Sequence, residues 1–180
     1  MQSNPLQTFS ALCLLDRDGT INVNTGYPHR CDELVLLPKA GAGIRMLNQN
    51  NIGVIVVTNQ SGIGRGYFPV ADMHRFNACI RKELQRFGAH IDLWRFCPHH
   101  PAANCGCRKP KTGLIDDIIS LERPLFFVGD SYSDMECADS AGALPIALRG
   151  TKAAAFPGAL PVSDLTDAAR LIIEKLNKDT

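Results

Sequence analysis

Two carboxylates stand two residues apart in Leu14-Leu15-Asp16-Arg17-Asp18-Gly19-Thr20, directly after an apolar run. Like charges at that spacing repel unless a cation joins them, and an oxygen-only ligand set suits Mg²⁺. An isolated Asp-x-Asp-Gly is equally a polar turn that caps a strand. Further on, a second apolar run ends in Val56-Val57-Thr58-Asn59-Gln60-Ser61-Gly62-Ile63-Gly64-Arg65-Gly66. Its hydroxyl and glycine-spaced loop can offer an O–H and several N–H groups to an anion, though such residues are also ordinary loop chemistry. Acids recur in Val128-Gly129-Asp130-Ser131-Tyr132-Ser133-Asp134, where Asp134 also fits a helix N-cap. Between these segments, Arg108-Lys109-Pro110-Lys111 supplies cations, with Lys109 and Lys111 both within reach.

A different chemistry is written in Cys97-Pro98-His99-His100-Pro101 and Cys105-Gly106-Cys107. Three thiols and an imidazole match a Cys₃His zinc set with every position filled by protein, which is the structural rather than the catalytic arrangement. The spacing is tighter than in most zinc fingers, and His100 competes with His99 for the imidazole position. Free thiols in a loop would explain the same residues without a metal. The chain has seven cysteines; in a reducing compartment such an odd set reads as thiols or ligands, not disulfides. Cys13, Cys31, Cys79 and Cys137 are accordingly expected to be core or surface thiols.

The elements that position these residues follow from hydrophobic patterning. Ala11–Leu15, Ile52–Val57, Ile91–Phe96, Pro124–Val128 and Ala143–Leu148 are continuously apolar, as strands buried on both faces of a parallel sheet should be. Helical spacing lies between them: from Pro38 through Ile44 and Leu47, from Val70 to Phe87, over Leu114–Leu121, over Asp134–Ser140 and over Asp164–Asn177. Strand–helix alternation predicts a doubly wound, Rossmann-like, mainly parallel α/β sheet with helices on both faces. Such sheets bind ligands beyond the carboxyl ends of their strands, where the acids and Thr58 fall. Ile21–Leu37 is expected to fold as a small hairpin over that edge, and Thr151–Pro161 as a surface connection. Residues 1–180 read as one domain.

Composition excludes several functions. With 180 residues and a net charge of +1, the chain lacks the basic excess of a nucleic-acid or membrane-surface protein. No apolar run approaches the roughly 18 residues of a membrane span. The polar start, without a basic stretch leading into an apolar one, predicts a cytoplasmic protein.

Taken in order, Asp16-x-Asp18-Gly19-Thr20, Thr58-Asn59, Lys109, and Gly129-Asp130 with Asp134 resemble the four motifs of the haloacid dehalogenase superfamily of aspartate-nucleophile phosphotransferases. The resemblance runs over residues 12–142. With the cysteine loop it narrows to the capless branch of D,D-heptose 1,7-bisphosphate and histidinol-phosphate phosphatases. Thr58–Gly66 and Gly26-Tyr27-Pro28-His29 look like the heptose enzymes, and the histidinol branch would be expected to carry an acid at Ser61. The resemblance implies Asp16 as nucleophile and Asp18 as general acid–base. Mg²⁺ would then sit on Asp16, the Asp18 main-chain carbonyl and Asp130, with Thr58 and Lys109 on the phosphoryl oxygens. It favours Cys97, His99, Cys105 and Cys107 as zinc ligands and Lys109 over Lys111. Asn59, Gln60, Ser61, Arg65 and Arg108 are expected to contact substrate, with one of the two arginines gripping a distal phosphate. Asp134 is expected to hold Lys109 or a group surrounding the metal rather than the ion itself. The implied partner is a small phosphorylated sugar acted on by a monomer, its product feeding lipopolysaccharide biosynthesis. Two other classes share parts of the pattern: a phosphoaspartate receiver domain and a non-catalytic zinc-binding module. A receiver needs a lone acceptor Asp after a central strand, and a zinc module has no use for Asp16 and Asp18.

Overall fold

The computed structural model describes residues 5–178. Among them, β1 (Ala11–Leu15), β2 (Ile52–Asn59), β3 (Leu93–Cys97), β4 (Leu125–Gly129), β5 (Leu144–Leu148) and β6 (Leu160–Val162) form one sheet in the order β3-β2-β1-β4-β5-β6, every pairing parallel. Strand order therefore reverses between β1 and β4, and a crevice opens there at the carboxyl ends. Register brings those ends level: Leu15 pairs with Val56 on one side and Val128 on the other.

The continuous apolar runs are explained by two cores. Ala11, Cys13 and Leu15 face α1 (Ala40–Gln49), α3 (Val70–Gln85) and α6 (Leu165–Lys178); Leu12 and Leu14 face a second layer containing α4 (Asp116–Ile119) and α5 (Tyr132–Ser140). A one-turn helix, α2 (Ser61–Gly64), follows β2. The α1 and α6 helices approach closely because a Cβ at Gly43 would run into the Leu165 backbone.

Five strands and the helices lie where patterning expects them, with differences at boundaries. Phe87 falls beyond the end of α3 and is half exposed. The Leu114–Leu121 pattern shortens to the four residues of α4. The expected surface connection over Thr151–Pro161 yields a 3₁₀ turn at Lys152–Ala155 and part of the short strand β6, which adds to the open edge of β5. Ile21–Leu37 closes on itself as expected: Val23 N–H donates to Val35, Leu37 N–H donates to Ile21, and Asn22 bridges Leu36.

One expectation is overturned. Cys31 and Cys79 are not free thiols but a disulfide between this excursion and α3, with Cα atoms 5.9 Å apart. That distance lies within the range a disulfide spans, and the two positions are 48 residues apart in sequence, so local reading had no access to it.

Candidate active site

β1 delivers Asp16 to the crevice, anchored by its N–H to the Val128 carbonyl at 3.0 Å. The Lys109 ammonium reaches it at 2.7 Å, Asp134 at 2.7 Å and the Val57 carbonyl at 2.6 Å, so its three N–H groups meet three acceptors. All three charged side chains are nearly removed from water. Burial alone would lower the Lys109 pKa, but the Asp134 and Asp16 carboxylates outweigh it and raise it. Burial pushes Asp16 up to about 7, with Lys109 opposing and the Asp134 and Asp18 charges adding. Asp130 is pushed up to about 6 by burial and by Asp134.

Asp134 spends both oxygens inside the protein, one on Lys109 and the other on the Ser131 N–H at 3.0 Å in a capping box that starts α5. Its N-cap partnership and its hold on Lys109 are one arrangement. Asp130 stands against Gly19, where φ is +92° and a Cβ would collide with the Asp130 carboxylate. Glycine is required there on both counts. The Asp18 side chain is held in place by hydrogen bonds from Arg17, Asn22 and Gln60.

These residues line a cavity of about 430 Å³ together with Thr58, Asn59, Gln60, Ser61, Arg108 and the loop residues Asn24, Gly26 and Tyr27. Thr58 is buried, and its oxygen accepts from Gln60 at 3.0 Å, which leaves its own O–H for another acceptor. The polar atoms of Asn59 and Gln60 are taken by protein partners. Asn59 clasps the Lys109 backbone through two hydrogen bonds of 3.1 Å, and Gln60 spans Asp18, Thr58 and Arg17. Arg108 lines the cavity, and its Nη1 is buried without a hydrogen-bond partner among the described residues. Arg65 is exposed and lies outside the cavity lining. Lys111 is spent on Asn104, at 2.8 and 3.2 Å, and so is no rival to Lys109.

Among the described residues, Arg17 pairs with Asp18 and Lys109 with both Asp16 and Asp134, while Asp130 has no ion-pair partner. Asp16, Asp130 and Asp134 bring carboxylate oxygens within 4.8 Å of one another, and Asp134 is already committed. The donor set, carboxylate oxygens only, fits a divalent hard cation on Asp16 and Asp130.

The cysteine loop passes a stricter fit. A tetrahedral zinc with Zn–S of about 2.3 Å and Zn–N of about 2.0–2.1 Å separates its sulfurs by about 3.8 Å and sulfur from nitrogen by about 3.5 Å. Cys97, Cys105 and Cys107 have sulfurs 3.4–3.6 Å apart, and His99 Nδ1 lies 3.6 and 3.2 Å from Cys97 and Cys107. His100 instead accepts the Ala102 N–H in its own turn, and it is His99 whose ring nitrogen converges with the three sulfurs. Burial pushes the Cys97 thiol up to about 12. Desolvation also opposes the Cys105 thiolate, but hydrogen bonds from Cys107 and Cys97 win and bring that thiol down to about 6. The loop packs on α2, since a Cβ at Gly64 would meet the His100 backbone.

The residue that motif reading passed over is Arg17. Its charge between two acids was visible, but its partners lie elsewhere in the chain.

A buried carboxylate held by a lysine at the switch point of a parallel sheet, with a second acid and a hydroxyl beside it, defines a phosphoryl-transfer enzyme. Comparison with known proteins narrows the class. No family model matches the chain. It is 39% identical over 147 residues to the D-glycero-beta-D-manno-heptose-1,7-bisphosphate 7-phosphatase of Pseudomonas putida, covering 78% of this chain and 83% of that one. It is 34% identical over 176 residues to the Pseudomonas aeruginosa protein of the same name, covering 91% and 98%. The crystal structure of D,D-heptose 1,7-bisphosphate phosphatase from B. bronchiseptica, complexed with magnesium and phosphate, superposes with a TM-score of 0.84 at 29% identity, covering 92% of this chain and 99% of that one. The chain belongs to the heptose bisphosphate phosphatase family of the haloacid dehalogenase superfamily and is a phosphoric monoester hydrolase.

Proposed function

We propose that the protein removes the 7-phosphate of D-glycero-D-manno-heptose 1,7-bisphosphate through an aspartyl-phosphate on Asp16. The observation that carries this reading is the Lys109-held Asp16 at the floor of the cavity, in a chain related over most of its length to enzymes of that name.

In the first half-reaction a carboxylate oxygen of Asp16 bonds to phosphorus while the bond from phosphorus to the sugar oxygen breaks. Asp18 gives a proton to that departing oxygen. In the second half-reaction Asp18 takes a proton from water as the water oxygen bonds to phosphorus and Asp16 is released. The Thr58 O–H, with its acceptor role already filled by Gln60, donates to a phosphoryl oxygen. Lys109 keeps Asp16 aimed and lends charge to the transferring group. Asn59 and Gln60 act by holding Lys109 and Asp18, while Ser61 offers its hydroxyl to the substrate. A Mg²⁺ held by Asp16, Asp130 and the Asp18 main-chain carbonyl would neutralise negative charge on these carboxylates and on the phosphoryl oxygens. Zn²⁺ on Cys97, His99, Cys105 and Cys107 would brace the loop that carries Arg108 and Lys109. Arg108, with an unpartnered buried nitrogen on the cavity wall, is assigned the distal phosphate; Arg65 is not.

We propose further that a monomer of one domain, residues 1–180, acts in the cytoplasm without nucleic acid. Among the described residues no helix is long and apolar enough to cross a membrane. The Cys31–Cys79 bridge, exposed at Cys31 and half-buried at Cys79, would face a reducing medium there.

The test is phosphate release from the heptose bisphosphate, its monophosphates and histidinol phosphate, with Mg²⁺ present. The highest kcat/KM is expected for the bisphosphate; a preference for histidinol phosphate would overturn the substrate assignment. A single turnover followed by a stable phosphoprotein would identify a receiver domain instead.

A further inference from the structure

Arg17 is wholly buried. A guanidinium taken out of water costs several kcal/mol unless it is paired, and a well-packed apolar side chain is often no less stable in its place. Each N–H-bearing nitrogen of Arg17 has a partner. Nε donates to Asp18 Oδ1 at 2.9 Å and Nη2 to Asp18 Oδ2 at 2.8 Å, a two-pronged fork. Nη2 also reaches the Pro28 carbonyl at 3.1 Å and Gln60 Oε1 at 3.0 Å, while Nη1 donates to Asn77 Oδ1 at 3.0 Å. The face of the fork lies over the Phe76 ring, 4.8 Å from its centroid. Asn22 completes Oδ1 of Asp18 and Gln60 completes Oδ2, both at 2.9 Å.

We propose that Arg17 is a positioning residue: it fixes the Asp18 carboxyl at the cavity wall and, through the Pro28 carbonyl, ties it to the loop whose Asn24, Gly26 and Tyr27 line the same cavity. The proposal rests on the reading of Asp18 as the group that protonates the leaving oxygen. Lysine could not replace it without losing one prong, since only the planar fork meets both oxygens at once. Asn77 and Phe76 on α3 hold the fork from behind, where neither lines the cavity. The carboxyl is thereby aimed by residues up to 60 positions away in the chain.

The leaving group separates this role from a purely structural one. When the bond from phosphorus breaks, a sugar alkoxide needs the proton from Asp18, whereas p-nitrophenolate leaves without it. kcat/KM, which reports the reaction through transfer to Asp16, is compared for p-nitrophenyl phosphate and a primary sugar phosphate in the full chain with Mg²⁺. Arg17→Gln is expected to lose roughly 10- to 100-fold more on the sugar phosphate, the scale on which small misplacements act. Asn77→Leu should show the same selectivity at about 3- to 10-fold, and Arg17→Gln should add no further selective loss in an Asp18→Asn background. Equal losses on both substrates, or none, in folded Arg17→Gln would overturn the proposal. If that variant does not fold, Asn77→Leu decides by the same criterion. An Asp18→Asn enzyme that loses both substrates equally would instead remove the underlying reading of Asp18, and the proposal with it.

Discussion

The acidic crevice and the cysteine loop are both suited to a metal, but they are built in opposite ways. In the crevice the acids come from two strand ends far apart in sequence, Asp16 and Asp18 after β1 and Asp130 and Asp134 after β4. Three of the four already have a protein partner: Lys109 for Asp16, Ser131 and Lys109 for Asp134, and three side chains for Asp18. In the loop all four donors fall within eleven residues, and they converge on one another. A fold that holds its carboxylates without a cation can exchange one during turnover. Converging thiols and an imidazole have little else to hold them, so binding there is folding energy. The two regions meet at Arg108-Lys109, where the loop hands its last residues to the cavity.

The sharpest contrast is expected from substitution within the crevice. Asp16→Asn should reduce phosphate release to background while the thermal melt shows a folded protein, because a neutral isostere removes a buried charge and keeps the shape. Asp18→Asn should lose about 10²–10⁴-fold if it is the general acid–base. Phosphate release at the wild-type rate from folded Asp16→Asn would end the assignment of the nucleophile.

That much of the site was legible because chemistry follows immediately on apolar runs: Asp16 after Leu15, Thr58 after Val57, and Asp130 after Val128 and Gly129. Parallel pairing in register then places such residues side by side, as Leu15 beside Val56 and Val128 shows. Lys109 was less legible: the resemblance favoured it over Lys111, and the bonds Lys111 makes to Asn104 supply the physical reason. What local reading could not supply depends on distant partners. Arg17 needs Asn77, Cys31 needs Cys79, and β6 needs the edge of β5, since a three-residue strand containing Pro161 carries almost no pattern of its own. Arg65 illustrates the converse: a cation beside a motif in sequence stands outside the cavity in space.

The loop should respond differently. Cys105→Ser is expected to lower zinc content per chain, measured by elemental analysis, and to lower the melting temperature. Lys109 would remain pinned by Asn59, Val57, Asp16 and Asp134. Turnover of a monophosphate by the folded fraction should therefore fall by less than the roughly tenfold that loss of even one charge-assisted hydrogen bond costs, because Arg108 is assigned to a distal phosphate that a monophosphate lacks. Wild-type protein purified without chelator and free of zinc would mean that the cysteine loop is not a zinc site.

At the junction of the two regions, Arg108→Ala should reduce kcat/KM for the bisphosphate by roughly 10- to 150-fold relative to its monophosphate, the equivalent of one charge-assisted hydrogen bond of about 1.5–3 kcal/mol. Arg65→Ala should leave that ratio within about twofold, as expected of an exposed side chain outside the cavity. Equal losses on both substrates for Arg108→Ala would place it at the reacting phosphate or in the fold.

The smallest expected effect is the dependence of stability on pH and Mg²⁺, and its sign tests the account of the crevice. Asp16 and Asp130 are pushed up to about 7 and about 6, above the ordinary carboxylate value near 4. A raised carboxyl pKa means that folding opposes ionisation, so metal-free protein is favoured while these groups keep their protons. That advantage is lost progressively as pH rises from about 4 towards 7, because the unfolded chain ionises freely and the folded one does not. A divalent cation reverses the penalty only where the carboxylates are ionised. At 100 times its dissociation constant, Mg²⁺ adds about 2.7 kcal/mol, and that constant should itself be weaker at pH 5 than at pH 7.5. Melting curves with and without Mg²⁺ should therefore separate at pH 7.5 and draw together at pH 5. Asp130→Asn should shrink the gap at pH 7.5 by removing the one crevice carboxylate that has no ion-pair partner among the described residues. An Mg²⁺-induced gap as large at pH 5 as at pH 7.5 would mean that the cation binds elsewhere on the protein.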